Sequence, residues 1–391
     1  MRSNGNKEDL LVTVDELMRH HGKVNIYGAG AFGRALVQVL DDLGITIEHI
    51  LDRSAGGPCL NQDDQGGGRI VSPTDARIDR RIPILVSILG YSDVDDLLSG
   101  LGHKRVVSTP ETFRLFPEAL RILTEDGFMW RQAPRSVQID DFGLTALRLL
   151  LSDEKSQQLC NSLTRFRRDP SDVSYPWPDT HEFYFPPDVP LYSGDTPVSI
   201  IDCGAFTGDT LISFMSRLGP RVRRYAAVEP SPANALKLRA VVSTLEEMNP
   251  TSALDVQVFN IAVGDRNGVA VVREDGPASN LTYDEFIGTR HGDSDSGQVL
   301  VTTLDGLFAG EEWSVLKMDI EGSEYEALIG AKGIISRGNT TLAIAVYHKP
   351  QDLWRIPLLI ATMAPEGYDY YLRQEGHWGL ETTLYAVPKG A

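Results

Sequence analysis

Short apolar runs alternate with amphipathic stretches along this chain, and glycines mark two of the junctions. Val24 to Tyr27 reads as a buried strand, Gly28 to Gly33 as a turn, and Ala35 to Leu40 as the start of a helix. Val198 to Asp202, Cys203 to Asp209 and Thr210 to Met215 repeat the same order. After the first unit, Thr46–Leu51, Ile82–Leu89 and Arg105–Ser108 are further strand candidates with helical patterns between several of them. That alternation predicts a parallel sheet covered by helices. Glu111–Arg168 reads as mainly helical, with Leu147–Leu151 its most apolar stretch, and Pro170–Pro197 reads as irregular chain because proline disfavours helix at itself and its predecessor. Beyond it the predicted core strands are Tyr225–Val228, Asp255–Ile261, Ser314–Asp319 and Thr341–Tyr347, with a helix over Ser323–Gly330. Val269–Arg273 and Gln298–Thr303 are expected to pair around a polar loop, and Tyr368–Arg373 and Thr382–Val387 to form an antiparallel edge pair.

Composition narrows the function classes. The 391 residues carry 37 Lys and Arg against 54 Asp and Glu, a formal charge of −17. A field of that sign repels phosphate backbones, so no nucleic-acid partner is expected. The basic cluster Arg165-Phe166-Arg167-Arg168 reads as a solvated helix end or, at most, a single-phosphate contact. Three widely spaced cysteines, Cys59, Cys160 and Cys203, are neither a disulfide framework nor a zinc site. No signal-peptide pattern follows the polar start, and no apolar run reaches the ~18 residues of a membrane span. A cytoplasmic protein without a membrane span is expected, with homo-oligomer formation left open.

In the first turn, Gly28, Gly30 and Gly33 have the GxGxxG spacing, and Asp52 ends the next strand roughly twenty residues on, the context of a dinucleotide-binding turn. Phe32 belongs to the same turn. Binding of a nucleotide or nucleotide-sugar, binding of NAD, and an empty scaffold all remain open, and Asp52 disfavours the 2′-phosphate of NADP.

The second turn has a different chemistry. Asp202 precedes its glycines, Gly204 and Gly208, and Asp209 stands at the helix start, where a carboxylate repels phosphate. Glu229 follows the next strand, the position of a ribose partner. Acids here suit a cationic or zwitterionic ligand, an amino acid joined to a nucleoside such as S-adenosyl-L-methionine. The plainer alternative is an acid-capped turn with no ligand.

Several stretches in order from about Phe183 onward carry a family resemblance: Tyr184-Phe185-Pro186-Pro187-Asp188, Ile201 to Thr210, Ala262-Val263-Gly264-Asp265, Thr303-Leu304-Asp305, Lys317-Met318-Asp319-Ile320-Glu321-Gly322-Ser323-Glu324 and Tyr347-His348. Together they resemble the FkbM family of S-adenosylmethionine-dependent methyltransferases. The resemblance implies a class I (Rossmann-like, seven-stranded) methyltransferase domain, α/β, parallel but for a reversed last strand, with methyl transfer usually to a hydroxyl. A small-molecule or glycan acceptor is implied by the resemblance alone. The family pattern puts Asp202, Gly204 and Glu229 on the cofactor, with Ala205, Phe206, Gly208, Asp209 and Asp319 beside it. Asn260 and Ala262 would lie near the adenine, and Ser279 and Asn280 in a loop over the cofactor.

Methyl transfer to a hydroxyl needs a proton acceptor. Asp319, Glu321, His348 and His377 fall at strand ends or on the last connection. His348 is the first candidate, because a neutral imidazole titrates near working pH, with Asp319 orienting it or binding the acceptor. A surface histidine is the alternative for His348, and helix-start stabilisation for Glu321 and above all Glu324. A divalent ion on Asp319, Glu321 and His348 is a minor variant without support from tight ligand spacing, so no metal is expected.

The domain organisation expected is a Rossmann-like accessory domain over 1–110, a mainly helical linker region over 111–182 and an FkbM-type methyltransferase domain over 183–391. The rival functions are an NAD-dependent oxidoreductase using the first fold, and a non-catalytic nucleotide-sugar-binding protein.

Overall fold

The computed structural model describes residues 22–53, 69–88, 92–125, 139–170, 177–192, 194–248, 253–275, 278–283 and 296–390. Cys59, the polar start and residues 171–176 of the proline-rich stretch lie outside them. The chain divides into two compact units, one built on the first glycine turn and one on the second. Helices Thr109–Leu115 and Glu118–Glu125 belong to the first and helix Asp141–Leu150 to the second, so the segment over 111–182 is shared between them.

In the first unit, β1 (Lys23–Tyr27), β2 (Thr46–Leu51), β3 (Arg69–Val71), β4 (Ile84–Val86) and β5 (Val106–Val107) form a sheet in the order β3-β2-β1-β4-β5. All four pairings are parallel, as strand–helix alternation requires. β3 is an addition to the sequence expectation, since three residues are too short for a period-2 pattern. Helix Ala31–Asp42 buries Phe32, Leu36, Val39 and Leu40, the one-face spacing of an amphipathic helix. Gly33 is required by close approach: a Cβ there would overlap the carbonyl oxygen of Gly28, whereas one on Gly30 meets nothing within 4 Å.

The second unit holds β6 (Val198–Cys203), β7 (Val222–Val228), β8 (Asp255–Phe259), β9 (Ala262–Val263), β10 (Gly268–Asp275), β11 (Ala278–Tyr283), β12 (Ser296–Thr302), β13 (Val315–Met318), β14 (Thr341–Ala345), β15 (Tyr368–Gln374) and β16 (Thr382–Pro388). Seven of them make a sheet in the order β15-β16-β14-β13-β6-β7-β8. Only β16 runs against the rest; it sits between β14 and β15. The two last strands do pair, but only β15 is an edge strand, which refines the expectation of an antiparallel pair at the edge. A smaller sheet, β11-β10-β12-β9, contains the expected pairing of β10 with β12. The fold is thus mixed α/β, with a seven-stranded, mostly parallel sheet and a separate five-stranded parallel one.

The Leu147–Leu151 stretch joins the core of the second unit. Leu144, Leu147 and Leu151 pack in one cluster with Tyr370, Leu372 and Trp354, and Leu151 bridges Tyr370 of the edge strand. Arg373 on β15 is fully buried and donates from Nε to Asp188 at 3.0 Å and from an amino nitrogen to Asp153 at 2.6 Å. This buried guanidinium fastens two segments ahead of β6 onto the last part of the sheet. Among the described residues, no helix is long and apolar enough to cross a membrane.

The two glycines predict opposite outcomes in the first unit. Gly33→Ala is expected to cost ~1–3 kcal/mol from overpacking against Gly28, while Gly30→Ala stays within ~0.5 kcal/mol. Urea unfolding of the full chain, followed by fluorescence, checks both.

Candidate functional site

The C-terminal ends of β6, β7 and β13 converge on a cavity of about 540 Å³, where open parallel sheets bind ligands. Its base is locked by charge. Lys317 stands directly across from Asp202 in the β13–β6 pairing, and both side chains are essentially inaccessible. Lys317 Nζ lies 2.9 Å from Asp202 Oδ1 and donates to the carbonyl of Gly204 at 2.8 Å. Tyr225 on β7 donates to the other Asp202 oxygen at 2.6 Å. Burial opposes the charge on Lys317, but the Asp202 and Asp319 carboxylates outweigh it and hold the ammonium above its ordinary pKa.

The turn after β6 is held from two sides. Gly204 has φ +82°, and a Cβ on it would overlap the carbonyl oxygen of Asp319, so this glycine admits the backbone of the β13 turn. Glu229 accepts from the backbone N–H of Phe206 and of Ser231, each at 2.9 Å. Burial raises its pKa despite those bonds. Asn260 donates to the carbonyls of Glu229 and Pro230 at 2.9 and 3.0 Å, securing the adjoining loop.

Among the described residues, six carboxyl side chains line the cavity, those of Glu182, Asp209, Glu229, Asp319, Glu321 and Glu381, against one ammonium, Lys317. Phe183, Tyr184, Phe206 and Tyr347 give it aromatic surface. Tyr184 and Tyr347 donate to the two oxygens of Asp319 at 3.5 and 3.3 Å. Burial, then the Asp319 charge, pushes both phenols well above their ordinary pKa, so they remain donors. Six non-glycine residues among those described have positive φ, and four of them, Tyr184, Phe206, Glu321 and Glu381, line this cavity. Left-handed backbone at such side chains is strained, and its concentration here marks a functional site.

Known proteins agree with this geometry. Residues 202–376 match the methyltransferase FkbM domain. That match lies within the second unit. The crystal structure of methyltransferase FkbM from Methylobacillus flagellatus KT superposes with a TM-score of 0.56 at 22% identity, covering 95% of this chain and 92% of that one, which shows a shared fold. The methyltransferase domain of bacterial CtHen1-C is far more distant, with a TM-score of 0.31 at 9% identity over 61% of this chain and all of that one. No curated protein matches the chain.

Within the matched residues, Gly204, Phe206, Asp209, Glu229, Ala262, Asp319 and Glu321 lie on the cavity wall. Asp202, Ala205, Gly208, Asn260 and His348 do not. Asp202 faces inward onto Lys317 and Tyr225, which corrects its expected place against a ligand. Ser279 and Asn280 fall on β11, but their side chains lie outside the described residues.

His348 requires a second correction. It is buried, with Nδ1 2.9 Å from Glu324 Oε1 and Nε2 3.4 and 3.5 Å from Asp319 and Glu321. Burial lowers its pKa, but the carboxylates of Glu324, Asp319 and Glu321 win, and it is pushed up to about 10. The three carboxylates favour the protonated ring, which differs from the neutral base expected from the sequence. Glu381, on the β15–β16 connection, escaped the sequence reading. Burial and the Asp319 charge push its carboxyl up to about 8. No local pattern marks it, because only the register of β16 against β14 brings it to the cavity. Lys317 was legible in principle: a lone charge inside the apolar run Val315–Met318 demands a buried partner.

In the first unit, Asp52 turns back onto its own glycine turn, accepting from the N–H of Ala29 at 2.9 Å. Helix Ala31–Asp42 has no acid in its first turn and no side-chain cap at Gly30.

Lys317→Met leaves the Asp202 carboxylate buried without its counter-charge and is expected to cost ~3–5 kcal/mol. Adding Asp202→Asn should recover part of that loss. Urea midpoints of the wild type, both single variants and the double variant check this.

Proposed function

We propose that the protein is an S-adenosyl-L-methionine-dependent O-methyltransferase acting on a hydroxyl of a small-molecule or glycan acceptor. The supporting observation is the excess of acidic over basic side chains on the cavity wall among the described residues, which holds even with Glu381 protonated. Such a wall disfavours a pyrophosphate and suits a ligand bearing a sulfonium and an ammonium. When bound, S-adenosyl-L-methionine supplies a methyl group already activated on positively charged sulfur.

The residues then divide the work. Glu229 would accept the ribose hydroxyls, its carboxylate aimed by the backbone N–H groups of Phe206 and Ser231. Gly204, Phe206 and Asp209, on the cavity wall, would hold the aminoacyl portion, with the Asp209 carboxylate for its ammonium, and Ala262 would stand by the adenine. The aromatic wall excludes water and favours cationic character near the methyl. Glu381 takes the acceptor's proton, since its raised pKa lies near working pH and it lies on the same wall as Asp319. The buried thiol of Cys203 accords with a cytoplasmic setting.

For the first unit, nucleotide, nucleotide-sugar or NAD binding accords with the open Gly30 and the acid-free start of helix Ala31–Asp42. An oxidoreductase would need hydride-transfer partners that the sequence does not reveal.

At a hundredfold excess over its dissociation constant, S-adenosyl-L-methionine should stabilise the chain by about 2.7 kcal/mol, read as a rise in Tm. Glu229→Ala should abolish that rise. A rise with NAD or a nucleotide-sugar and none with S-adenosyl-L-methionine or S-adenosylhomocysteine would overturn the reading. Once an acceptor is in hand, Glu381→Gln should lower kcat by about 10²–10⁴-fold with the cofactor-induced Tm rise intact. Unchanged kcat would move proton acceptance elsewhere.

A further inference from the structure

The group around His348 has the layout of a cation site. Glu324 is fully buried, and its Oε1 accepts from the N–H of Ile320 at 2.8 Å and of Gly322 at 3.3 Å, so the turn after β13 fixes it. The same oxygen lies 2.9 Å from His348 Nδ1 and sets the orientation of the ring. That leaves Nε2 pointing the other way. It is buried and makes no hydrogen bond, yet it faces Asp319 Oδ1 at 3.4 Å and Glu321 Oε2 at 3.5 Å.

Those separations exceed good hydrogen bonds but match neighbouring ligands on one ion. Donors ~2.1 Å from a cation and roughly 90–110° apart stand about 3.0–3.5 Å from each other. The donor atoms that all lie within 4.8 Å of one another are those of Asp319, Glu324 and His348, and Glu321 adds a carboxylate oxygen 3.5 Å from Nε2. Glu321 contributes its carboxylate from a strained backbone, φ +59°, a geometry that helix-start stabilisation does not require. An outer carboxylate holding one ring nitrogen while the other faces the ion is the arrangement that orients metal-bound histidines.

We propose that His348 Nε2, Asp319 and Glu321 hold a divalent cation of the magnesium–manganese class beside the cavity, with Glu324 orienting the imidazole from behind. Two carboxylates and one imidazole suit such hard to borderline ions. The ion takes the place of the Nε2 proton, since both compete for one lone pair. Asp319 and Glu321 line the cavity and His348 stands outside it, so the ion's remaining positions open toward the acceptor. There it lowers the pKa of a bound hydroxyl and orients an acceptor with two adjacent oxygens. This use of the ion rests on the methyl-transfer reading above; the binding itself does not.

Titration of the full chain with Mn²⁺, followed by the electron paramagnetic resonance signal of the free ion, tests it. One Mn²⁺ should bind per chain and be displaced by Mg²⁺. Asp319→Asn and Glu321→Gln should each weaken binding at least tenfold, while Glu366→Gln, at an exposed acid elsewhere, should leave it unchanged. Thermal unfolding identifies any variant that fails to fold, and the part-exposed Glu321 gives a second variant if Asp319→Asn does. No saturable binding, or equal binding in every folded variant, overturns the site. If the wild type binds no Mn²⁺ but keeps its Tm rise with S-adenosyl-L-methionine, the cation proposal alone fails. If it binds Mn²⁺ without that rise, the methyl-transfer reading alone fails.

Discussion

The buried pair of Asp202 and Lys317 sets the position of everything that faces the cavity. One carboxylate takes an ammonium from β13 and a phenol from β7, so three adjacent strands meet at their C-terminal ends through Asp202. Neither charge could remain there alone, because an unpaired ion in that surrounding costs several kcal/mol. The ammonium also reaches the carbonyl of Gly204, so the pair fixes the glycine turn as well as the strands. Gly204 in turn lets the Asp319 backbone come close, which aligns the β13 turn with the β6 turn. The cavity is therefore shaped by interactions that need no ligand, which reduces the ordering cost of binding one.

The same pair explains why the surroundings of Asp202 differ from those that its motif alone suggests. The strand, the glycines and the acids were legible in local spacing, and Glu229 falls where the register of parallel strands puts it. Local spacing cannot tell whether a carboxylate points up into the crevice or sideways into the sheet. Asp202 points sideways because Lys317 is its cross-strand neighbour, a relation between residues more than a hundred positions apart. The surroundings of His348 differ from expectation for a similar reason. Its protonation follows from Glu324, which sequence reading assigned to helix-start stabilisation, and from two further acids. Glu381 depends on β16 inserting between β14 and β15, a long-range pairing that no periodicity encodes. What the sequence conveyed well was period and local order; what it left open was the partner of each buried charge.

The charge arrangement around the cavity shows how such a site stays folded. The acids on that wall repel each other, and that repulsion opposes the compact state. The structure offsets it with donors: two phenols on Asp319, two backbone N–H groups on Glu229, and the imidazolium between Asp319, Glu321 and Glu324. Glu381 is relieved in a different way, by a raised pKa that lets it carry a proton. On the proposed reading a cationic ligand relieves the remainder, which ties the affinity for positive charge to the repulsion across the wall.

The two glycine turns of this chain separate what a glycine motif specifies from what it does not. In both units the acid ending the next strand bonds back to the turn, Asp52 to the N–H of Ala29 and Glu229 to the N–H of Phe206, each at 2.9 Å. The shared device is structural: it closes the turn against the adjacent strand and holds the helix start in place. Ligand preference comes from what stands at that helix start. Helix Ala31–Asp42 opens without an acid, so its N-terminal dipole is available to a phosphate. Helix Asp209–Leu218 opens with Asp209, which cancels that attraction and adds to the carboxylates across the cavity. The glycines let backbone pass closely at each turn, and the presence or absence of an acid beside them sets the local charge there.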